Sequence, residues 1–302
     1  MAANLYKQQD LNVVKTWVLM TVFLVVIIFF GWAVSVYYNN IGILYIAIGF
    51  SLLMNVYGYW FSDKAVLKIT GAKLAKREEY FDLYTTVENL AITAGLPMPK
   101  IYVMQENSPN AFATGRNKEH AVVAVTTGLL EILEKNELEG VIAHELSHIG
   151  NRDILLQTVV VVLVGFVSIL SHIFFRVSFG GRSRDNKDGG GIMTIIALVL
   201  VILSPIMATI LQLAISRKRE FLADSSGALL TRYPEGLASA LEKITDYSGA
   251  TMKGANNAVA HLFISNPFKN NKKTKLSFWN KIFLTHPPVK ERIAKLRGLE
   301  IK

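Results

Sequence analysis

Four long stretches without a charged residue constrain this chain most, because such stretches must be buried in a protein core or in a lipid bilayer. They comprise residues 17–38, 41–61, 154–175 and 192–215. A helix of 22 residues is about 33 Å long, which matches the roughly 30 Å of hydrocarbon in a bilayer. The hydrophobic content of 51% is only slightly above that of a soluble domain, so the distribution of apolar residues is more informative than their total.

The first two runs predict an N-terminal membrane hairpin over residues 1–61. Only Asn39-Asn40 separates them, and the first run is longer than the apolar region of a cleaved signal peptide, which has about 7–15 residues. Basic residues lie before the first run and after the second, whereas the turn has none. By the positive-inside rule, both ends of the hairpin are expected in the cytoplasm. The basic residues are Lys7, Lys15, Lys64, Lys68, Lys73, Lys76 and Arg77.

The last two runs predict a second apolar hairpin, residues 154–215. Their length favours a pair of transmembrane helices. The loop between them, residues 176–191, would then lie outside the cell, yet it carries four basic residues, which goes against the positive-inside rule. A hairpin partly sheltered by protein and two buried helices of a large soluble core therefore stay open as alternatives.

Charge and cysteine content exclude several kinds of site. The net charge is +9, but most basic residues flank apolar runs, as is typical of membrane proteins, so no nucleic-acid partner is expected. The chain has no cysteine, which excludes disulfides and thiolate metal ligands.

The segment between the two hairpins predicts a mainly helical fold with a small β-sheet (α+β). An amphipathic pattern indicates a helix over residues 78–94, ended by Gly95. Short β-like runs follow at residues 101–104, 111–114 and 121–126.

The next helix is expected to begin at Asn136. Asn136 is a favourable N-cap residue, and Glu139 three residues later completes a capping box. This helix is predicted to end at Gly150-Asn151 or to continue through Arg152-Asp153.

This helix carries the motif His-Glu-x-x-His, at His144, Glu145 and His148. Two histidines four residues apart share one face of a helix, and neutral imidazole is a good zinc ligand. Glu145 lies between them, where it can take a proton from water at the metal. The pattern is typical of zinc-dependent peptidases.

A catalytic zinc site needs a third protein ligand, and Glu220 is the best candidate. A nearby third histidine is excluded, because positions 151 and 154 hold Asn and Ile. Glu220 follows the fourth apolar run by five residues, much as His148 precedes the third by six, so a hairpin returns it to the same depth. Asp224, one helical turn later, is expected to accept a hydrogen bond from a ligand imidazole.

Other polar residues are not expected to bind the metal. Asp153 is judged too close in sequence to fold back onto the motif. The histidines at positions 120, 172 and 261 are interpreted as structural or surface residues.

In these motifs the sequence resembles the HtpX-type membrane metalloproteases, which are related to the CAAX prenyl endopeptidases. The resemblance covers nearly the whole chain. It includes the first two apolar runs, residues 110–115, His144 to His148 with residues 151–153, the second hairpin, Glu220 with residues 223–224, and residues 285–288.

The resemblance implies a bacterial inner-membrane zinc endopeptidase with a cytoplasmic active site. Such an enzyme degrades misfolded membrane proteins in a stress-linked quality-control pathway. Its partners would be unfolded membrane proteins, the lipid bilayer and other membrane quality-control proteases, and its cofactor one Zn²⁺ per chain. Residues 62–153 and 216–302 would form the cytoplasmic catalytic part.

The resemblance also implies roles for further residues. It supports Glu220 as the third ligand and implies a substrate-binding strand. His286 is a candidate for stabilising the transition state, although a structural role is an equal alternative. The substrate-binding strand that the resemblance implies comprises Asn110, Ala111, Phe112, Ala113 and Thr114.

Two other functions fit parts of the sequence. A prenyl-protein endopeptidase would use the same chemistry, but four spans are few to enclose a chamber for a lipid. A non-enzymatic membrane scaffold could hold structural zinc, but a structural site is closed by four ligands and needs no base such as Glu145.

Overall fold

A computed structural model of the chain describes residues 2–180, 217–247, 252, 259–265 and 287–299. The fourth apolar run, most of the basic loop before it, and His286 lie outside the described residues.

The first two helices form the predicted hairpin. Helix α1 spans Ala2–Tyr37 and α2 spans Ile41–Trp60. Asn39 takes a left-handed conformation in the turn (φ 47°), and the side chain of Asn40 caps α2 by accepting a hydrogen bond from the Gly42 amide. Both helices are long and apolar enough to cross a membrane.

A four-stranded sheet follows a short helix, α3 (Ser62–Thr70). Its strands are β1 (Lys73–Leu74), β2 (Lys100–Met104), β3 (Ala111–Thr114) and β4 (Val122–Thr126). In spatial order they are β1, β2, β4 and β3; β2 and β4 are parallel and the other pairs antiparallel. The three predicted strands are confirmed within a residue, whereas the sequence does not predict β1.

One helix lies between β1 and β2 in sequence, and a second follows β4. Helix α4 (Phe81–Ala94) begins three residues later than predicted and ends at Gly95, which is in the left-handed region (φ 64°). Helix α5 (Thr127–Ile132) directly follows β4 and is capped by the side chain of Thr126.

Helix α6 (Lys135–Gly150) carries the His-Glu-x-x-His motif, but its predicted capping box at Asn136 and Glu139 is wrong. Glu134 is the N-cap, and Glu137 accepts a hydrogen bond from its amide at 2.8 Å. The carboxylate of Glu137 is also bonded to Lys243 (2.8 Å). This long-range contact holds the side chain of Glu137 at the cap, and local spacing does not reveal it.

A sharp turn separates α6 from α7 (Asp153–Gly180), and the two helices meet at 85°. Arg152 in the turn takes a left-handed conformation (φ 56°). Helix α7 includes the third apolar run and continues through Gly180, so residues 176–180, predicted as loop, are helical.

Three further helices are described: α8 (Arg217–Thr231), α9 (Pro234–Asp246) and α10 (Val289–Arg297). Helices α8 and α9 both pack on α6, and α10 packs on both of them.

The sheet lies between two apolar cores. Alternate strand residues such as Ile101 and Val123 face a core shared with α4, α6 and α9. The intervening strand residues, such as Phe112 and Ala124, point to the other face of the sheet and line a core shared with α1 and α7. Since side chains alternate between the faces of a strand, the sheet joins the layer that carries the motif to the layer of membrane helices.

Candidate metal centre

Helices α6 and α8 bring His144, His148 and Glu220 together in the protein interior. The three side chains are buried, with 1%, 5% and 4% of their surface exposed. The two Nε2 atoms of the histidines are 3.2 Å apart. The carboxylate oxygens of Glu220 lie 3.8 Å from Nε2 of His144 and 3.7 Å from Nε2 of His148.

These distances fit a zinc ion. Tetrahedral zinc with ligand bonds of about 2.0–2.1 Å separates its ligand atoms by roughly 3.3 Å. The observed separations lie close to this value, and all three candidate atoms fall within 4.8 Å of one another. The donor set of two imidazoles and one carboxylate is that of a catalytic zinc site.

Asp153, at the start of α7, supports His148. Its Oδ2 atom lies 2.9 Å from Nδ1 of His148. Burial alone would lower the pKa of His148, but the hydrogen bond with Asp153 and the nearby charges of Glu220 and Glu145 raise it to about 9. The hydrogen bond with Asp153 holds a proton on Nδ1, so Nε2 is the atom that would exchange its proton for a metal ion.

The expectation that Asp153 is too close in sequence to return to the motif is wrong. It assumed a continuous helix, whereas the helix ends at Gly150 and the 85° turn brings Asp153 back. Asp153 is not one of the three metal ligands, but it contacts one of them, His148. The sequence signal for this return is Gly150-Asn151, a pair typical of a helix end.

Asp224 lies beside the other ligand histidine. Its Oδ1 atom is 3.0 Å from Nδ1 of His144, an ionic contact without the alignment of an ideal hydrogen bond. Arg292 of α10, fully buried, binds both oxygens of this carboxylate, at 2.6 and 2.9 Å. Burial alone would raise the pKa of Asp224, but Arg292 and His144 lower it to about 2.

Sequence reasoning missed Arg292. The residue lies 68 positions after Asp224, in a basic helix whose other cations are mostly exposed. No local pattern distinguishes it from Lys290, Lys295 or Arg297.

Gly227 allows α8 to approach α6 at the metal centre. A Cβ atom at this position would lie 3.0 Å from the backbone nitrogen of His144 and 3.2 Å from its Cα. The side chain of a larger residue would therefore push α8, and with it Glu220, away from the histidines.

Glu145 belongs to the same buried cluster, with 2% of its surface exposed. Its charge acts on His148 and on Arg292. Two other histidines lie elsewhere: His120 is exposed, and His261 is buried with Nε2 3.1 Å from the carbonyl oxygen of Gln157. The side chain of His172 is outside the described part of the structure.

The model of the family described as "Peptidase family M48" matches residues 77–300 of this chain. The chain belongs to peptidase family M48. The match includes all three metal ligands, so this M48 member is a zinc metallopeptidase with His144, His148 and Glu220 as its zinc site.

Curated relatives agree with this assignment. The chain is 46% identical over 305 residues to a protein named "Protease HtpX homolog" from Caldanaerobacter subterraneus subsp. tengcongensis, covering 99% of each chain. It is also 46% identical to a protein of the same name from Thermoanaerobacter pseudethanolicus, covering 98% of each. The protein is therefore an HtpX-type M48 metalloprotease, a membrane protein with two transmembrane helices at its N-terminus.

Among solved structures, the chain is similar to "Crystal Structure of S. mikatae Ste24p". The TM-score is 0.49 and the sequence identity 18%, with 96% of this chain and 67% of that chain covered.

The first prediction concerns the third ligand. Glu220→Ala removes one of three protein ligands, so the purified full-length variant should lose its bound zinc, as measured by metal analysis. Glu88→Ala, which removes an exposed glutamate paired with Arg77, should keep stoichiometric zinc. Retention of full zinc by Glu220→Ala would show that another residue is the third ligand.

The second prediction concerns Arg292. In Arg292→Met the buried carboxylate of Asp224 loses its ion pair, so the free energy of unfolding should fall by about 3–5 kcal/mol. Denaturant unfolding of the detergent-solubilised protein measures this change. Arg297→Met, on the same helix, breaks exposed ion pairs with Glu235 and Glu242 and should cost far less. Equal losses would contradict a special role for the buried pair.

Proposed function

We propose that this HtpX-type metalloprotease is an endopeptidase that cleaves misfolded or damaged membrane proteins at the cytoplasmic face of a bacterial inner membrane, as part of quality control under stress. The observation that carries the proposal is the position of the zinc centre beside the membrane helices. Helix α7 begins at the zinc site, and its Phe166 packs against Phe23 of α1 and Phe50 of α2. Proteins in the same bilayer would therefore meet this site first.

The charge distribution supports a cytoplasmic active site and cytoplasmic termini. Basic residues precede α1 and follow α2, and α3 continues directly from α2 toward the catalytic sheet. We accordingly divide the chain into a membrane hairpin (1–61), two catalytic parts (62–153 and 216–302) and a second apolar hairpin (154–215).

Glu145 is the proposed general base. Zinc, when bound, supplies Lewis acidity that lowers the pKa of water to about 7 and polarises a peptide carbonyl. Glu145 would accept the proton of the attacking water and pass it to the leaving amine. Asp153 and Asp224 would fix the ring orientations of His148 and His144, which is how carboxylates behind ligand histidines act.

Strand β3 is the proposed site of substrate alignment. It is an edge strand that packs on α6, the helix of the zinc motif. The hydrogen bond from the Thr126 amide to the Asn110 carbonyl oxygen sets its pairing with β4. Since the pairs of an antiparallel ladder alternate, the backbone groups of Ala111 and Ala113 point away from β4, toward the outer side of this edge strand.

The protein's own chain takes part of this edge. The Ile264 amide donates to the carbonyl oxygen of Ala111 at 3.0 Å, and the side chain of Asn110 bonds to the backbone of Ser265. We propose that an extended substrate pairs with the remaining edge, at Ala113. Such pairing reads backbone more than side chains, so broad specificity would follow. His286 stays a candidate for stabilising the transition state.

The test of this function is Glu145→Gln. The variant should keep zinc and fold, because glutamine is nearly isosteric, but should cleave an unfolded membrane protein about 10²–10⁴-fold more slowly, the contribution typical of a general base. Glu139→Gln, on the same helix but only partly buried, is the matched control and should be fully active. Full activity of Glu145→Gln would exclude Glu145 as the base.

A competition experiment distinguishes the proposed function from that of a prenyl-protein endopeptidase. A prenylated peptide and an unfolded membrane protein are supplied together to the wild-type enzyme. Preferential cleavage of the membrane protein supports quality control, whereas preferential cleavage of the prenylated peptide would favour the alternative.

A further inference from the structure

We propose that Asn12 of the first membrane helix is a positioning residue of the zinc centre. Its side-chain amide joins the two segments that carry the metal ligands, so the membrane anchor is a structural part of the active site. Asn12 acts through its neighbours and does not contact the metal ligands directly.

The first contact leads to His148. Asn12 is buried, with 1% of its surface exposed. Its Nδ2 atom donates to Oδ1 of Asp153 (2.5 Å) and to the carbonyl oxygen of Asn151 (3.2 Å). The other carboxylate oxygen of Asp153 lies 2.9 Å from Nδ1 of His148. A hydrogen-bonded chain therefore runs from the membrane helix through Asp153 to a zinc ligand.

The second contact leads to the segment of Glu220. The Nη1 atom of Arg219 donates to Oδ1 of Asn12 at 3.4 Å, and Arg219 directly precedes Glu220 in α8. Among the residues that the structure describes, Nε and Nη2 of Arg219 make no hydrogen bond. The Nε atom is 3.9 Å from Asp153. Asn12 thus lies between Asp153, which contacts one zinc ligand, and Arg219, which adjoins another, and its amide bonds to both.

Packing alone does not account for an asparagine at this position. The same face of α1 continues with Leu19, Met20 and Phe23, which supply apolar contact with the core. Burying an amide costs free energy unless it is hydrogen-bonded. The amide nitrogen of Asn12 donates to Asp153, and its amide oxygen accepts from Arg219. An amide is therefore matched to the carboxylate and the guanidinium on either side of it.

Loss of the amide should loosen Asp153 and thereby His148. Without the amide, Oδ1 of Asp153 would lose its hydrogen bond and keep the looser ionic contact with Nε of Arg219 (3.9 Å), so the carboxylate could rotate away from the imidazole. Residues that orient metal ligands typically change metal affinity by about 10–100-fold when they are replaced.

The test is the zinc dissociation constant of full-length Asn12→Leu, measured by competition with a chelator. The variant should bind zinc about 10–100-fold more weakly than the wild type. The matched control is Asn55→Leu, because Asn55 is also a buried asparagine on a membrane helix, and within the described part of the chain it donates only to Ser51 of its own helix. This control should bind zinc as the wild type does.

A double-mutant cycle with Asp153→Asn tests whether Asn12 acts on His148 through Asp153. If Asn12 acts through Asp153, the double variant should bind zinc little more weakly than Asp153→Asn alone. Should Asn12→Leu fail to fold, Asn12→Ser keeps a polar group that is too short to bridge both neighbours and should also weaken binding. Unchanged affinity in the folded Asn12 variant, equal loss in Asn55→Leu, or strict additivity in the cycle would overturn the proposal. The readout is metal binding, so it does not depend on the identity of the substrate.

Discussion

The zinc centre depends on one electrostatic constraint: two buried imidazoles point their Nε2 atoms at each other across 3.2 Å. Each Nδ1 atom lies within 3.0 Å of a carboxylate, and the carboxylate of Glu220 faces both Nε2 atoms. A zinc ion between them would satisfy the three donor atoms at once and offset the negative charge of Glu220. The site is therefore built for a metal ion, and the surrounding structure serves to hold three ligands in a geometry that they would not adopt alone.

The surrounding elements supply that support from distant parts of the sequence. Helix α7 brings Asp153 to His148 through the turn at residues 150–153, and α8 brings Asp224 to His144. Each carboxylate is held in turn, by Asn12 of α1 or by Arg292 of α10. Loss of Arg292 would leave the buried carboxylate of Asp224 without its ion pair, and loss of Asn12 would take a hydrogen bond from Asp153. The membrane anchor and the C-terminal helix are therefore both coupled to the metal centre.

Local sequence patterns predicted those features of the fold and site that depend on neighbouring residues in the chain. The His144–His148 pair follows from helical spacing, the first hairpin from uncharged runs, and strand β3 from a short β-like segment. Glu220 was found because a membrane hairpin limits where a chain can return. Three features depend on tertiary contacts, such as that of Lys243 with Glu137, which the spacing of residues in the sequence cannot reveal. They are the N-cap at Glu134, the turn at Asp153 and the ion pair of Arg292.

X-ray absorption spectroscopy at the zinc edge, on the full-length protein, tests the central claim most directly, since it counts ligand types. The ligand set His144, His148 and Glu220 predicts two imidazoles and oxygen ligands at about 2.0–2.2 Å. The Glu220→Ala protein, reloaded with zinc, should keep the two-imidazole signal. A third imidazole in the wild-type protein, or only one, would contradict this account of the zinc centre.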